Sequence, residues 1–452
     1  MARKGKWFFA LALITVLAAF AFFVLSHSDN RAVSGERLPD GSTLRLATAQ
    51  FTNGNFLYSA TGGYSGWRGT IARVLPKNLV AKLGWLQMSG TIGFGAGGKG
   101  ANLCVFTIHE GSALKMKYQD MRMVISDESG NAFDVGYPMG VMSTSDMLNQ
   151  LRLEGWCPPA FPRRGKKLDL RFFERGKSNA PCLAEFIISN PAPGNYPVWT
   201  PEALPAIKTN DDLTVTMVSL KSGLSKAHQT RAAATNEVAV TLAALRILQS
   251  GNSSNSWRPK AVEISDATGN SWIPFANVLS ERHKDGLDYF SFEGALWPGE
   301  AAWKLRFEFS RIADYQPNEV FTFSGITVPG ATQVINLDST TNIAGSILRL
   351  VAITGEKAEQ PGNLKWSTVK NRVNISIRAT PFPTGYRLNL LKVTDETGRE
   401  AKIKREPDWN PPERVYGFKT PEGAKQLSFT FALHKSRYVE FMARPEFARS
   451  NN

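Results

Sequence analysis

A strand–turn–strand pattern that occurs three times constrains this chain more than any other feature of its sequence. Each copy contains the motif D-x-[ST]-G, which begins at Asp127, Asp266 and Asp395. The aspartate of such a turn accepts hydrogen bonds from the backbone, and the glycine adopts positive φ without steric cost. Apolar side chains lie two and four residues before each aspartate, a period that places both on one face of a strand. The pattern predicts three β-hairpins.

Further markers accompany each hairpin in the same order, which indicates an internal repeat. After each hairpin comes a strand with alternating apolar residues, and these strands are predicted to begin their alternation at Leu168, Leu305 and Leu427. Successive turn aspartates are about 130 to 140 residues apart, which is the length of a whole domain. Each unit closes on a β-rich run that ends in proline, at 185–191, 321–329 and 439–445.

The N-terminus carries an apolar run, residues 7–25, without a charged residue, and Arg3, Lys4 and Lys6 precede it. About 20 apolar residues cross a bilayer as a helix, and a basic flank stays in the cytoplasm. The run exceeds the roughly 7–15 apolar residues of a signal-peptide core, which favours an uncleaved anchor over the alternative of a cleaved signal peptide. The bulk of the chain is therefore expected to be extracytoplasmic, in the periplasm or at the cell surface, or secreted if the helix is cleaved.

The sequence thus predicts an all-β protein in which three tandem β-sandwich repeats follow an N-terminal transmembrane helix. The repeats resemble immunoglobulin-like or fibronectin-like sandwiches in their short alternating strands and frequent turns. The disulfide with its tryptophan partner that marks true immunoglobulin domains is absent, so the resemblance concerns architecture alone. The first repeat contains an insertion at 50–100 that is predicted to be partly helical, with one or two short helices within 67–83. The predicted segments are 1–26 (anchor or signal peptide), 27–41 (linker), 42–193 (first repeat), 194–211 (proline-rich linker), 212–330 (second repeat), 331–345 (linker) and 346–448 (third repeat).

The cysteines and histidines give no pattern typical of a metal site. The chain has three cysteines, Cys104, Cys157 and Cys182, so at most one internal disulfide can form. Cys157 and Cys182 are close enough in sequence to form it, and Cys104 is predicted to be a small buried hydrophobic residue. No C-x-x-C spacing occurs, and the five histidines are scattered without H-x-x-x-H spacing. We therefore expect no metal and no cofactor.

A glycine-rich stretch at 90–100 matches the motif G-x-G-x-x-G from Gly93 onward. A nucleotide-binding loop of this kind requires a helix directly after the glycines, whereas a strand is predicted from Leu103. The sequence favours a flexible glycine loop, or a short strand marked by Ile92 and Phe94. No G-x-S-x-G motif occurs either, and no catalytic residue is predicted.

Part of the formal net charge of +14 lies in one stretch that leads into the strand at Leu168. This stretch is a candidate patch for anionic partners, such as lipid headgroups or acidic polysaccharide, while a solvated turn is the simpler interpretation. No aromatic residues of the kind that stack single-stranded bases are interleaved with it, so no nucleic-acid partner is expected. The candidate residues are Arg163, Arg164, Lys166, Lys167, Arg171, Arg175 and Lys177.

Repeated structural units without an assembled catalytic constellation favour a non-catalytic protein. The main hypothesis is an exported, membrane-anchored scaffold or binding protein with an unknown protein or polysaccharide partner. A first alternative is an exported hydrolase with a site in the insertion at 50–100. A second is an array of carbohydrate-binding modules, since aromatic side chains on a β surface can form platforms for sugars. Trp156, Trp297 and Trp409 occupy comparable places, and core packing is the role that large aromatic residues favour.

Overall fold

The computed structural model describes most of the chain after residue 34, and almost every described element is a β-strand. The predicted membrane helix at 7–25 lies outside the described residues. Within them, no helix has the length and apolar character needed to cross a bilayer. The described residues are 35–52, 56–63, 75–76, 79, 87–94, 102–112, 115–118, 120–136, 138–145, 150–158, 160–175, 177, 180–224, 240–272, 279–282, 285–293, 295–358, 372–404 and 413–447.

The first repeat is a sandwich of antiparallel sheets. Its strands are β1 (Gly35–Arg37), β2 (Thr43–Thr52), β3 (Phe56–Gly63), β4 (Gln87–Phe94), β5 (Asn102–Gly111), β6 (Met121–Ser126), β7 (Ala132–Gly136), β8 (Gly140–Ser145), β9 (Gln150–Trp156), β10 (Lys167–Glu174) and β11 (Cys182–Ser189). One sheet has the strand order β1-β2-β5-β9-β8 and the other has the order β11-β10-β6-β7. Leu168, Leu170 and Phe172 of β10 are fully buried, because alternation directs every second side chain of a strand into the space between the sheets.

The second and third repeats supply the remaining strands and one 3-10 helix, Pro317–Glu319. The second repeat contains β12 (Ala206–Asn210), β13 (Leu213–Leu224), β14 (Val240–Gln249), β15 (Asn252–Ser253), β16 (Trp257–Asp266), β17 (Ser271–Trp272), β18 (Leu279–Arg282), β19 (Asp288–Glu293), β20 (Trp303–Arg311) and β21 (Val320–Thr327). The third contains β22 (Val334–Asn336), β23 (Thr340–Ile343), β24 (Ser346–Thr354), β25 (Val373–Thr380), β26 (Tyr386–Asp395), β27 (Lys402–Lys404), β28 (Glu413–Lys419), β29 (Gln426–Lys435), β30 (Arg437–Ala443) and β31 (Glu446–Phe447).

The three repeats share one strand order. The larger sheets run β2-β5-β9-β8, β13-β14-β19-β18 and β24-β25-β28-β27. The smaller sheets place β10 beside β6, β20 beside β16 and β29 beside β26. In the third repeat the strand after the aspartate turn is reduced to a single bridge between Thr394 and Glu400. The β-sandwich architecture predicted from the alternating pattern is therefore present three times.

The three D-x-[ST]-G turns have one hydrogen-bonding arrangement, as the sequence predicts. Asp266 Oδ1 accepts hydrogen bonds from the backbone N–H groups of Thr268 and Asn270, at 2.9 and 3.1 Å. Asp127 and Asp395 accept the same pair of bonds from the residues two and four positions later. The glycines of these turns have φ values between 83° and 89°, a conformation that glycine adopts without a steric cost.

The strand register corrects the sequence alignment of the second repeat. The residues opposite the position two before each turn aspartate are Leu170, Leu305 and Phe429. Trp303, and not Leu305, therefore begins the alternating strand of the second repeat, as Leu168 does in the first. The prediction was shifted by two residues, which leaves the side chains on the same buried face because a strand has a period of two.

The closing strands of the second and third repeats are exchanged. In the first repeat β10 pairs with β11, the strand that follows it in the chain. The corresponding strand of the second repeat, β20, pairs instead with β30 from the end of the third repeat. The third repeat's β29 pairs in turn with β21, which follows β20 in the chain. A buried phenylalanine has the same register in all three pairings: Phe186 opposite Leu170, Phe441 opposite Leu305 and Phe323 opposite Phe429.

The hydrophobic cores follow this exchange. The largest cluster contains residues from the first and second repeats together with Val439, Phe441 and Ala443 of β30. The cluster of the third repeat contains Phe323 and Ile326 of β21. Core side chains from 346–448 therefore pack in the second repeat, and core side chains from 212–330 pack in the third.

The insertion at 50–100 differs from the partly helical prediction. Its described strands, β3 and β4, pair antiparallel over eight residues each, and the predicted helical stretch at 67–83 lies almost wholly outside the described residues. Phe56 and Ile92 of this pair cover an apolar cluster on β5 and β9. Gly93 lies within β4, and β5 is the next described element; residues 95–101, which include the rest of the glycine-rich stretch, lie outside the described residues.

Each segment predicted to be a linker contains a short strand. β1 pairs with β2, β12 pairs with β13, and β22 and β23 pair with β24. In each case the added strand lies beside the first long strand of the repeat that follows. The connecting segments are thus part of the sheets, which limits the freedom of one repeat relative to the next.

Candidate functional site

The seven basic residues of the candidate anionic patch lie in different environments. Arg163 and Arg164 contact the second repeat. Arg171 and Lys177 form ion pairs with carboxylates of the first repeat. Anion binding by this patch stays a prediction. Fewer of its side chains are available to a partner than the sequence indicated. Its remaining residues are the exposed Lys166 and Lys167 and the half-buried Arg175.

Arg164 forms a two-pronged ion pair with Glu300 of the second repeat. Its Nε and Nη2 donate to the two carboxylate oxygens, each over 2.9 Å. The same guanidinium donates to the carbonyl oxygens of Tyr196 and Pro197, at 2.8 and 2.7 Å. The pKa of Arg164 is raised, mainly by its hydrogen bond to Glu300. Bidentate pairs of this kind fix orientation as well as distance, so this contact restrains the two repeats relative to each other.

Arg163 lies against the adjacent rings of Phe51 and Phe161, whose centroids are 5.7 Å apart, with its guanidinium carbon 5.0 and 4.9 Å from the two centroids. Its Nη1 donates to the carbonyl oxygen of Thr268 over 3.1 Å. Burial lowers the pKa of Arg163, although Asp266 partly opposes this. A buried cation packed against two aromatic rings is an interior contact and not a surface for ligands.

The first two repeats contact each other reciprocally. Asn270, in the aspartate turn of the second repeat, donates from Nδ2 to the carbonyl oxygen of Phe161 over 3.0 Å, and its Oδ1 accepts from the Phe161 N–H over 3.4 Å. Trp297 of the second repeat donates from Nε1 to Asp127 Oδ2, in the aspartate turn of the first, over 3.3 Å. Each repeat thus presents an aromatic residue followed by proline to the turn of the other. We call this contact the reciprocal interface; it consists of Asp127, Phe161, Arg163, Arg164, Thr268, Asn270, Trp297 and Glu300.

The second and third repeats are joined by a buried ion pair in addition to the exchanged strands. Arg387 Nε and Nη2 donate to the two carboxylate oxygens of Glu308, over 2.6 and 2.8 Å. Ser436 Oγ donates to Glu308 Oε1 over 2.6 Å. The side chains of Arg387 and Glu308 are 7% and 14% exposed. A pair this deep requires good geometry to offset the desolvation of both charges.

His434 lies close to this ion pair and is neutral at pH 7. Its Nε2 is 3.2 Å from Ser310 Oγ and accepts a hydrogen bond from Asn389 Nδ2, also over 3.2 Å. Burial lowers the pKa of His434 to about 4, the cations Arg311 and Arg387 lower it as well, and a backbone carbonyl opposes them. The histidine is thus a hydrogen-bonding element of the contact between the second and third repeats.

A serine–histidine pair in the first repeat bears on the hydrolase alternative. Ser42 Oγ is 2.8 Å from His109 Nε2 and donates to Asp40 Oδ1 over 2.5 Å. In a catalytic triad the carboxylate binds the other ring nitrogen of the histidine and orients it. His109 Nδ1 has no hydrogen-bond partner among the described residues, and Ser42 and His109 are 3% and 0% exposed. The trio joins the turn before β2 to β5, and it lacks both the triad order and access for a substrate.

A second polar group within the first repeat has the same structural character. Glu154 accepts hydrogen bonds from Thr107 Oγ1 over 3.4 Å and from Arg152 Nε over 3.2 Å, while Trp156 Nε1 donates to Thr107. Burial raises the pKa of Glu154 to about 7, and Arg152 opposes this. These bonds link β5 to β9 within one sheet.

An open groove of about 350 Å³ lies on the surface of the second repeat. No aromatic ring is found among its described lining residues, and none of the six tryptophans that fall in the described ranges is exposed. Trp156 and Trp297 are buried, as expected for core residues, and Trp409 lies outside the described ranges. The lining residues are Gln249, Ser250, Asn252, Ser253, Ser254, Asn255, Ser256 and Asp314.

No group of three metal-ligating side chains is present in the part of the chain that the structure describes. Sequence reasoning singled out four members of the reciprocal interface. It assigned Asp127 to a turn, Trp297 to the core, and Arg163 and Arg164 to a surface patch. The other members left a usable signal. An aromatic residue followed by proline occurs at comparable places in the first two repeats, at 161–162 and 297–298, and the turn glycine is followed by asparagine in both. In the third repeat Arg399 replaces that asparagine.

No protein-family model matches the chain, and no curated protein matches its sequence. The sequence pattern and the geometry of the described residues are therefore the basis for a function.

Proposed function

We propose that this protein is an exported, membrane-anchored, non-catalytic scaffold or binding protein that holds three β-sandwich repeats in a fixed arrangement. The observation that supports this most is the set of polar side-chain contacts between the repeats. Asn270, Arg164 and Glu300 connect the first repeat to the second, while Glu308 and Arg387 connect the second to the third. Neighbouring domains usually move relative to each other unless their interface is extensive, so these contacts favour a protein whose task depends on fixed spacing.

The finer architecture that we propose is immunoglobulin-like. The order β2-β5-β9-β8 in one sheet and β11-β10-β6-β7 in the other corresponds to the constant-type order of that fold, with one added strand. The disulfide of true immunoglobulin domains joins the strands that β5 and β10 would represent. β5 has Cys104 but β10 has no cysteine, so only the topology supports this part of the proposal.

We propose that residues 7–25 attach the scaffold to a membrane. The uncharged run behind three basic residues supports it. Extraction of membranes at alkaline pH tests it, because a spanning helix keeps the protein in the pellet. A chain in which a cleavable signal peptide replaces residues 1–26 is the control and should be released into the soluble fraction. Release of the intact chain would contradict the anchor.

Fixed spacing is tested by distance measurements between spin labels on the full chain in lipid nanodiscs. Labels on non-natural amino acids at the exposed positions Lys167 and Lys221 report on the first and second repeats. We expect one narrow distance distribution, which should broaden when Arg164→Ala and Asn270→Ala are combined. Arg171→Ala, outside the reciprocal interface, is the matched control and should leave the distribution unchanged. A broad distribution in the unmodified chain would contradict a rigid scaffold.

The non-catalytic part of the proposal is tested separately. The full chain is incubated with panels of ester, peptide and glycoside substrates, with a heat-denatured sample as the blank. We expect no turnover above the blank. Turnover that is lost on substitution within 56–63 or 87–94, without loss of folding, would favour the hydrolase alternative.

Polysaccharide binding is a second candidate, favoured by the polar groove of the second repeat. Hydroxyl and amide groups line it, and such groups bind sugar hydroxyls. If the candidate is right, calorimetry should detect binding of soluble polysaccharides to the full chain. The double variant Asn252→Ala and Asn255→Ala should weaken this binding at least about tenfold, which corresponds to a loss of about 1.4 kcal/mol of binding free energy. Unchanged affinity in this variant would contradict binding at the groove.

A further inference from the structure

Two cysteines stand opposite each other beneath the paired strands of the insertion. Val105 of β5 is opposite Trp156 of β9, so Cys104 and Cys157 are the next opposite residues on these antiparallel segments. Opposite residues on such strands have Cα atoms about 4.5–5.5 Å apart, and a disulfide spans about 4.4–6.8 Å. The Cys157 thiol is also a hydrogen-bonding neighbour of the Cys104 thiol.

Both side chains point to the same face of the sheet. Cys104 is fully buried in the cluster that includes Phe106 and Leu153, and the partly buried Cys157 packs against that cluster. Phe56 of β3 covers the same cluster. Cys157 is therefore the member of the pair that an oxidant reaches, and Cys104 is the member held in place by packing.

Cys182, the partner that sequence proximity suggested for Cys157, is placed differently. It begins β11, in the other sheet of the sandwich. Its thiol is exposed and lies 3.3 Å from the carbonyl oxygen of Ala184. A bond between Cys157 and Cys182 would have to connect residues on different sheets, whereas Cys104 and Cys157 lie on adjacent strands of one sheet.

We propose that Cys104 and Cys157, free thiols in this structure, form a disulfide that ties β5 to β9 when the exported chain meets a disulfide oxidant. The Cys157 thiolate attacks one sulfur of the oxidant and releases its other half as a thiolate. The Cys104 sulfur then attacks Cys157 Sγ in the mixed disulfide and releases the second half. The two protein thiols lose two protons and two electrons in total, and the oxidant is reduced to two thiols.

The microenvironment makes this reaction selective. Burial raises the pKa of the Cys104 thiol, and Cys157 raises it further, so Cys104 does not initiate exchange with external reagents. It reacts once Cys157 carries the mixed disulfide beside it. The bond would close a loop that contains β6, β7 and β8, and a loop of this length restricts the unfolded chain substantially. It stabilises the first repeat whether or not the protein acts as a scaffold.

The test uses the full chain in detergent, refolded in a mixture of reduced and oxidised glutathione and then alkylated. Tryptic digestion without reduction separates the three cysteines, because they fall in the peptides 100–115, 153–163 and 178–208. We expect a linked pair of the first two peptides, with Cys182 alkylated. We also expect reductant to lower the thermal unfolding midpoint by several degrees.

Two variants keep the result decisive. Cys182→Ser removes the exposed thiol and should leave both the linked peptides and the effect of reductant unchanged. Cys157→Ser should abolish both while the chain still folds, because its site is partly exposed. Alkylation of both Cys104 and Cys157 after oxidative refolding would overturn the proposal. So would a linked pair of the peptides 153–163 and 178–208.

Discussion

The first repeat completes its smaller sheet with its own closing strand, whereas the second and third repeats complete theirs with each other's. The local sequence logic is the same in both regions, since Phe186, Phe441 and Phe323 occupy one register position in the three strands. Connectivity alone distinguishes them. A repeat with its own closing strand has both of its sheets complete, while repeats that have exchanged strands are expected to fold and unfold as one unit.

The contact between the first and second repeats also differs in kind from the contact between the second and third. The reciprocal interface joins the first repeat to the second through side chains: the Asn270 amide, the Trp297 indole and the Arg164–Glu300 pair. The second and third repeats are joined by backbone ladders, to which the Glu308–Arg387 pair is added. Side-chain contacts can be removed one at a time, but a shared ladder cannot be removed without opening two cores.

Among the substitutions that test the strand exchange, Phe441→Ala is expected to cause the largest loss of stability. Phe441 is fully buried and its ring lies 6.2 Å from that of Phe307 in the second repeat. Loss of a buried phenylalanine costs about 3–5 kcal/mol, and we expect the loss to affect β20 although Phe441 belongs to the end of the chain. Hydrogen exchange resolved by peptide measures which strands lose protection.

Two matched substitutions complete that experiment. Phe186→Ala should reduce protection in β10 alone, within the first repeat, and Phe323→Ala should reduce it in β29. If Phe441→Ala reduced protection in β29 and left β20 unchanged, the exchange would be wrong.

A somewhat smaller effect is expected from acid. Burial lowers the pKa of His434 to about 4, below the value near 6.5 of an unfolded chain. As the pH falls, His434 is protonated in the unfolded state before it is protonated in the folded state. Its contribution to the free energy of unfolding is therefore fully present above pH 6.5 and is lost as the pH falls toward 4. The loss approaches about 3 kcal/mol over this window, at about 1.4 kcal/mol per pKa unit. Chemical denaturation at pH 7 and pH 5 should detect about 2 kcal/mol of this loss, because pH 5 is still above the pKa of the folded state.

His109 makes the acid experiment a comparison between the two regions. Burial also lowers its pKa to about 4, so the first repeat should lose stability over the same window. His434→Gln should remove the pH dependence from the second and third repeats together and leave that of the first repeat. A pH dependence removed from the third repeat alone would argue against a joint unit.

Asn270→Ala should have an intermediate effect. The asparagine is 1% exposed and serves both the turn carboxylate of Asp266 and the backbone of Phe161. Buried groups left without a partner cost about 1–3 kcal/mol. Thr397→Ala is the control, because Thr397 donates to its own turn aspartate, Asp395, over 2.8 Å but lies in the exposed turn of the third repeat, outside the reciprocal interface. Equal losses of stability in the two variants would contradict a special role for the Asn270 contact.

The smallest effect is expected from Arg171→Ala. Arg171 pairs with Asp169 and Glu185 on an exposed face, where its side chain is 45% exposed. Exposed ion pairs contribute little, about 0–1 kcal/mol. Thermal unfolding should change by no more than the spread expected of surface substitutions, about 0.5 kcal/mol. A larger loss would mean that the basic patch has a structural role beyond Arg163 and Arg164.

Local chemistry was predictable from the sequence, and long-range pairing was not. The turns at Asp127, Asp266 and Asp395 are present as expected because the aspartate and glycine of each turn act within five residues. The period of two identified β10, β20 and β29, although it could not fix the register, as the shift from Leu305 to Trp303 shows. The closing strands were recognised as strands, but nothing in a strand's own sequence states which neighbour it will pair with.

The candidate site shows the same division. Arg163 and Arg164 were identified by charge, but their partners lie more than 100 residues away, so a surface patch was the nearest interpretation. The short strand marked by Ile92 and Phe94 is present as β4, whereas its partner β3 was missed because the stretch was interpreted as a partly helical insertion. The pairing of Cys157 with Cys182 was favoured by distance in sequence, which does not show that two cysteines lie on different sheets.

Cysteine cross-linking tests the strand exchange most directly. Arg306 of β20 is opposite Glu440 of β30, and the same register in an unexchanged second repeat would place Thr322 of β21 opposite Arg306. In monomeric full-length protein under mild oxidation, we expect a disulfide to form when Arg306→Cys is combined with Glu440→Cys, and none when it is combined with Thr322→Cys. The opposite result, a bond between positions 306 and 322 and none between 306 and 440, would contradict the exchange and the joint unit built on it.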